Sequence, residues 1–167
     1  MTDISIEPLA PPLPMTTYWV IPALGPGEAF RCFYYSSDWT SLVTGPLECD
    51  TVAYETDFVC IVAGALPPVA APHLPTGFTA ASNVDLVGAV AQTLGPLNYL
   101  QPYFGAQALP GAGPSPLIGV VLSAIPNTDR GVILVFAAKD GFGNVLGLVA
   151  SQDPEIKNST GPGKGGG

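Results

Sequence analysis

Charged side chains are scarce in this chain of 167 residues. Only 11% of the residues are charged, against roughly 25% in a typical globular domain. Five are basic and 13 are acidic, which gives a formal net charge of −8, and no Lys or Arg lies between Arg31 and Arg130. A surface of this sign repels phosphate backbones and anionic lipid headgroups, so we expect no direct contact with nucleic acid or with a membrane.

Residues that carry most enzyme chemistry are also few. His73 is the only histidine, and it lies among prolines where a surface-loop position is the simpler interpretation. A nucleophile pair of Cys60 and His73 has no local motif to support it. The sequence contains no Gly-x-Ser-x-Gly elbow, no His-Glu-x-x-His and no Walker loop. We therefore expect a protein that is not an enzyme and that needs no cofactor.

Cysteines and long apolar runs are scarce as well. The three cysteines, Cys32, Cys49 and Cys60, form an odd set without zinc-like spacing, which argues against a disulfide framework and a structural metal site. No apolar run approaches the ~18 residues of a membrane-spanning helix, and the first residues lack the features of a secretory signal. The expectation is a cytoplasmic protein with buried thiols, although one cysteine pair stays open if the final particle is extracellular.

Apolar residues, glycine and proline are abundant. Apolar residues make up 47% of the chain, which also holds 20 glycines and 19 prolines. Apolar content this high argues against disorder, so the glycines and prolines are expected to separate many short segments, as is typical of β-rich folds. The chain carries more apolar surface than a lone 17 kDa protein easily buries, and association with other chains would cover the excess.

The clearest local pattern is a hairpin. Two β-branched, apolar runs, 131–138 and 145–152, flank the turn-forming sequence Lys-Asp-Gly-Phe-Gly-Asn. Both faces of the first run are apolar, which indicates a strand whose two faces are both buried, as in a sandwich, a covered sheet or a subunit contact. With an apolar run at 117–125, the hairpin predicts a three-stranded meander.

These patterns predict a mainly β fold, an antiparallel β-sandwich or barrel-like single domain. Its expected boundaries are 16–153, preceded by a proline-rich arm (1–15) and followed by a flexible glycine-rich tail (154–167). One short helix is predicted at about 82–94, because Ser82 can cap it and apolar residues recur at helical spacing before Gly95 and Pro96. This helix, an opposing sheet or a neighbouring subunit would cover the second face of the hairpin.

The densest acidic group comprises Glu48, Asp50, Glu55 and Asp57. Alternate spacing within each pair places both carboxylates on one side of an extended strand, where they form a weak candidate for Ca²⁺ binding. An acidic, solvated edge that discourages strand-to-strand aggregation is the simpler interpretation. No other metal site is predicted.

Aromatic residues give the candidate interface positions, because Trp and Tyr dominate protein-protein hot spots. A cluster of them lies within 18–39, where burial in the core is the commoner use of alternating aromatics. The interface candidates are Trp19, Tyr34, Tyr35, Trp39, Tyr99, Tyr103, Phe104 and Phe142.

Two functional hypotheses follow. The first is a non-enzymatic structural protein of a larger assembly, such as a minor capsid, cement or surface-protrusion protein of a virus or phage. Its partners would be copies of itself, a major capsid protein or another assembly protein, and its location the virion. The alternative is a β-rich binding module, for example for carbohydrate, that uses the aromatic cluster at 18–39. Exposed indoles would favour the second hypothesis, and fully buried indoles would count against it.

Overall fold

Two β-sheets make up most of the molecule. The computed structural model describes residues 15–48, 57–63, 67–94, 104–109, 117–124, 129–152 and 155–157. The predicted arm lies outside these residues except for Met15, which begins a strand, and the predicted tail lies outside them except for 155–157, which also form a strand. In chain order the strands are β1 (Met15–Leu24), β2 (Phe30–Ser36), β3 (Leu42–Val43), β4 (Leu47–Glu48), β5 (Asp57–Ala63), β6 (Thr79–Ala80), β7 (Val84–Leu94), β8 (Phe104–Gly105), β9 (Gln107–Leu109), β10 (Leu117–Ala124), β11 (Asp129–Lys139), β12 (Val145–Ala150) and β13 (Glu155–Lys157).

The two sheets have separate strand sets. Sheet A has the order β3-β2-β1-β5-β10-β9, with β6 paired to the end of β1. Sheet B has the order β4-β13-β11-β7-β8, with β12 also paired to β11. Most neighbours are antiparallel, but β1–β5 and β4–β13 are parallel. The predicted mainly β, sandwich-like fold is confirmed, and the two sheets do not close into a barrel among the described residues.

The main core lies between the sheets. Alternate side chains of each strand point inward, because successive residues of a strand face opposite sides of its sheet. Phe30 of β2 and Phe136 of β11 meet edge to face across the core, with ring centroids 5.7 Å apart. The buried members are Tyr18, Val20, Tyr34, Ile61, Ala63, Val120 and Leu122 from sheet A, and Leu47, Leu86, Ala89, Ala91, Val132, Leu134 and Phe136 from sheet B.

The predicted helix at about 82–94 is wrong, because Val84–Leu94 form strand β7. This strand pairs with β11 along its whole length, and the register shifts at Val87, which lies between the partners of Val135 and Phe136. Because of this extra residue, the buried side chains of Leu86 and Ala89 are separated by three positions instead of the two expected in a regular strand. A separation of three positions also occurs on one face of a helix. Three valines favour a strand at this position, and the tertiary pairing with β11 decides it.

The predicted hairpin is confirmed, but the predicted meander is not. Strands β11 and β12 pair antiparallel around the turn at 140–144. Strand β10, by contrast, pairs with β5 and β9 in sheet A, so the chain crosses from one sheet to the other before β11. Strand β10 therefore lies on one side of the core, and strands β11 and β12 lie on the other.

Candidate functional site

The aromatic residues of the first quarter divide between two cores. Tyr34 faces the main core, whereas Tyr35 and Trp39 lie in a smaller cluster on the outer face of sheet A. There the ring of Trp39 stacks on that of Trp19 at a centroid distance of 5.1 Å, and only 8% of Trp39 is exposed. Ala71, from the loop that follows Pro67, closes the cluster. Trp19, Tyr34, Tyr35 and Trp39 thus pack mainly against this chain.

The turn between β2 and β3 holds Trp39 in place. The Asp38 carboxylate accepts hydrogen bonds from the backbone N–H and hydroxyl of Thr40 and from the Ser36 hydroxyl, and these bonds lower the pKa of Asp38 to about 2. Trp39 itself adopts a left-handed backbone, with φ of 63°, which is costly for a residue with a side chain. The indole N–H of Trp19 donates to the carbonyl of Ser37 over 2.8 Å. This network serves packing rather than an open binding surface.

The calcium candidates are not brought together among the described residues. Glu48 is exposed on β4. Its backbone carbonyl, not its carboxylate, accepts a hydrogen bond from the hydroxyl of Tyr18. Asp57 begins β5, whereas Asp50 and Glu55 lie outside the described residues. The part of the chain that the structure describes contains no group of three or more His, Cys, Asp or Glu that could hold a metal ion. Calcium binding stays a prediction.

A cleft of about 770 Å³ lies beside the smaller aromatic cluster. Its walls are mainly proline and other apolar residues of the loop after Pro67, and His73 lies at the cleft. Asp85 also lines it but forms an ion pair with Lys139. Among the described residues of these walls, no cysteine accompanies His73, so the proposed Cys60–His73 pair gains no support from the cleft.

Cys32 lies on β2 and packs against the main core. Burial raises the pKa of its thiol to about 12. Because the thiolate is the reactive form, Cys32 in the folded protein is expected to react with iodoacetamide at neutral pH at least ~100-fold more slowly than in the denatured chain. Peptide mass spectrometry of the Cys32 fragment, before and after denaturation, measures this ratio. Equal rates in the two states would contradict the inward placement of Cys32.

The outer face of sheet B presents an apolar surface that the sequence did not reveal. We define the hairpin surface as Val87, Ile133, Phe142, Val145, Leu146 and Leu148, all of which are exposed. Leu146 and Leu148 of β12 are 73% and 67% exposed, and Ile133 of β11 is 37% exposed. The predicted covering helix is instead β7, a neighbouring strand of the same sheet.

The turn at 140–144 fixes Phe142 at the tip of the hairpin. The Asp140 carboxylate accepts hydrogen bonds from the backbone N–H groups of Phe142 and Asn144 and from the Asn144 side-chain amide. These bonds lower the pKa of Asp140 below its usual range, and the bond from the Asn144 side-chain amide has the largest effect. Gly143 has φ of 86°, a left-handed conformation that suits glycine. A ring that is 94% exposed is therefore held on an ordered turn.

The charges near the hairpin surface compensate each other. Lys139, at the end of β11, forms an ion pair with Asp85 of β7. Within 131–150 the only other charged residue is Asp140, at the turn. In a chain with a net charge of −8, this face is therefore nearly neutral and can approach another protein with little electrostatic repulsion.

The remaining interface candidates are only partly placed. Phe104 lies on β8, whereas Tyr99 and Tyr103 lie outside the described residues. Of the candidates whose side chains the structure describes, Phe142 is the one on an exposed apolar surface. Sequence reasoning missed the exposed residues of β12, although Val-Leu-Gly-Leu-Val-Ala lacks the polar alternation that a strand with one solvated face usually has.

Comparison with known proteins does not assign the chain to a family. Family models, curated proteins and solved structures give no significant match to it. Within the described ranges, no helix has the length and apolar character needed to cross a bilayer.

Proposed function

We propose that this protein is a non-enzymatic structural component of a larger assembly, specifically a capsid component of a virus or phage such as a minor capsid, cement or surface-protrusion protein. The observation that carries the proposal is the hairpin surface, with Phe142 at its tip. Isolated apolar side chains are normal on protein surfaces, but a contiguous apolar patch on one face marks an interaction site. The protein would act through this face, on copies of itself or on a major capsid protein.

The composition of the hairpin surface supports a role in an assembly rather than as a free monomer. It combines an aromatic residue on a hydrogen-bonded turn with flanking Leu, Ile and Val, the composition of the desolvated centre of a protein-protein interface. Its few charges are paired or confined to the turn. Surfaces of this kind are usually buried in a complex, because burial of each large apolar side chain contributes about 1.5–3 kcal/mol of favourable free energy.

The carbohydrate-binding alternative has less support. It requires the aromatic rings of residues 18–39 to stack on sugar rings, but Trp39 is buried and its face is already stacked on Trp19. The cleft near this cluster is lined mainly by apolar loop residues rather than by hydrogen-bond donors and acceptors. Sugars need both.

The direct test is association in solution and in the native context. Size-exclusion chromatography with light scattering, over a range of concentrations, is expected to show oligomers of the purified chain, and the protein is expected to copurify with a particle visible by electron microscopy. Phe142→Ser should weaken association by at least ~10-fold, as for a central hot-spot residue, without altering thermal stability. Val69→Ser is the matched control, because Val69 is 99% exposed on the loop over sheet A. A stable monomer with no affinity for a particle would refute the proposal.

A further inference from the structure

A loop on the outer face of sheet A is joined to the sheet mainly at one end. We define the strap as residues 67–82, which include β6. The two residues of β6 pair with the end of β1, and the N–H of Ala81 donates to the carbonyl of Pro22 over 2.8 Å. Among the described residues, no backbone hydrogen bond joins 67–75 to sheet A. Strand pairing therefore fixes only the C-terminal end of the strap.

Phe78 is the main side-chain anchor of the strap. Its ring meets Phe33 of β2 edge to face, with ring centroids 5.0 Å apart, and the guanidinium carbon of Arg31 lies 5.8 Å from its centroid. The ring also lies directly on Gly25, where a Cβ atom would come within 2.4 Å of it. The slot that holds this ring therefore requires the absence of a side chain at position 25.

The rest of the strap contributes little to the core. Of its residues only Ala71 is buried, and Leu74 is partly buried beside it. Both pack with the smaller aromatic cluster, which contains Tyr35 and Trp39. The cleft of about 770 Å³ between the strap and this cluster shows that packing beneath the strap is incomplete. Segments that bury few apolar side chains open locally at a lower free energy than the whole domain unfolds.

We propose that the strap opens as a unit while the sandwich stays folded, and that Phe78 is the contact that keeps it closed. Opening moves the Phe78 ring out of its slot and uncovers Tyr35, which is fully buried when the strap is closed. Among the described residues the Tyr35 hydroxyl has no hydrogen-bond partner, and opening lets water supply one. The closed state is thus stabilised by one aromatic contact and opposed by one buried hydroxyl.

The strap thereby controls access to the smaller aromatic cluster. When it is closed, the cluster serves only as a packing surface. When it is open, the cluster presents aromatic rings on the outer face of sheet A, on the side of the domain opposite the hairpin surface. The two surfaces are therefore independent, and strap opening does not require the assembly role proposed for the hairpin surface.

Nitration of two adjacent tyrosines separates strap opening from global unfolding. Tyr34 faces the main core, whereas Tyr35 lies in the cluster that the strap covers, so only unfolding exposes both rings. Tetranitromethane is expected to modify Tyr35 faster than Tyr34 in the folded wild-type chain, with each rate normalised to that of the denatured chain. Peptide fragmentation in the mass spectrometer resolves the two positions. Equal normalised rates would mean that the strap does not open separately, and would overturn the inference.

Substitutions on the two sides of the anchor contact test the role of Phe78. Phe78→Ala removes the ring, and Gly25→Ala places a methyl group where the ring lies. Each is expected to raise the nitration rate of Tyr35 at least ~10-fold, as loss of one large apolar contact implies. Gly45→Ala is the matched control for the glycine variant, because a Cβ atom at Gly45 meets nothing within 4 Å. An unchanged Tyr35 rate in Phe78→Ala overturns the inference.

A substitution in the main core distinguishes strap opening from general loss of stability. Val132 is fully buried between the sheets, so its contacts are the same whether the strap is open or closed. Val132→Ala is therefore expected to raise the nitration rate of Tyr34, which requires unfolding, and to leave that of Tyr35 unchanged. An equal rise at both tyrosines would mean that Tyr35 is reached only through unfolding, and the inference would fail.

A crosslink that holds the strap closed supplies the reverse measurement. Leu24 of β1 and Thr79 of β6 are paired and exposed, and residues paired in this way have Cα atoms about 4.5–5.5 Å apart, within the range of a disulfide. In the Leu24→Cys, Thr79→Cys chain, the disulfide is expected to lower Tyr35 nitration below the wild-type rate. The Leu24→Ser, Thr79→Ser chain, which cannot crosslink, is the matched control. Nitration of Tyr35 at the wild-type rate in the crosslinked chain would overturn the inference.

Discussion

Lysine in place of Val132 is expected to unfold the domain, whereas lysine at the next residue, Ile133, should leave it folded. Both residues lie on β11, but Val132 is fully buried between the sheets and Ile133 faces outward. A buried ammonium group without a partner loses several kcal/mol of hydration, a large part of the ~5–15 kcal/mol that stabilises a typical domain. Ile133→Lys can extend its ammonium group into water, so we expect a change of no more than about 1 kcal/mol.

Urea denaturation followed by circular dichroism measures the difference between the two variants. If Val132→Lys is wholly unfolded, Val132→Thr supplies a milder version of the same change. Comparable destabilisation by Ile133→Lys would mean that the chain itself covers the outer face of sheet B, and the proposed interface would lose its basis. A folded Ile133→Lys that no longer associates would place the interface on that face.

The hairpin could be predicted from sequence because its determinants are local. The residues at 139–144 include two glycines, an aspartate and an asparagine, and the structure uses Asp140 and Gly143 as such residues are generally used in turns. The flanking runs are apolar and β-branched, which fits a pleated strand. Nothing in this local pattern depends on distant parts of the chain.

Strand β7 could not be predicted because its structure depends on a distant partner. Its residues recur at spacings compatible with a helix, and Ser82 offers a helix cap. The pairing with β11, about 45 residues later, supplies hydrogen bonds along the whole strand, and the bulge at Val87 adjusts its alternation. Local pattern cannot reveal a bulge, because the extra residue is defined only by its partner strand.

The candidate site illustrates the same limit. Phe142 was identified from its residue type, and its exposure follows from its position in a tight turn. Tyr34, Tyr35 and Trp39 have equally suitable side chains but are buried. Strand β2 places Tyr34 and Tyr35 on opposite faces of sheet A, both of which are covered there, and Trp39 of the following turn packs beside Tyr35. Whether an aromatic strand residue is core or interface depends on what covers each face, and this is a property of the assembled sheets.

Correcting the helix also changes the significance of the hairpin. A helix over the second face of β11 would have made the domain self-contained. With residues 84–94 in the same sheet as β11, that face lacks its expected cover among the described residues. The proposed assembly role would account for both the low charge of the chain and the exposed hairpin surface, because each suits burial against another protein.

Trp39→Ala is expected to lower the free energy of unfolding by about 3–5 kcal/mol, the usual cost of removing a large buried aromatic side chain. The substitution removes the stacking partner of Trp19 and the ring that contacts Tyr35 at 5.2 Å, and it leaves a cavity under the turn. Chemical denaturation monitored by circular dichroism measures the loss. Trp39→Gly should be less destabilising than Trp39→Ala, because glycine adopts the left-handed φ of 63° at this position without strain, an advantage of about 1 kcal/mol.

This prediction separates the two functional hypotheses. If Trp39 serves the small core, its replacement lowers stability, and a glycan array gives no binding for the wild-type chain or the variant. Trp19→Ala is the internal comparison, since Trp19 is only partly buried and should cost less. If Trp39→Ala instead kept full stability and abolished binding to a glycan, the aromatic cluster would be a ligand site. The hairpin surface would then have to be explained separately.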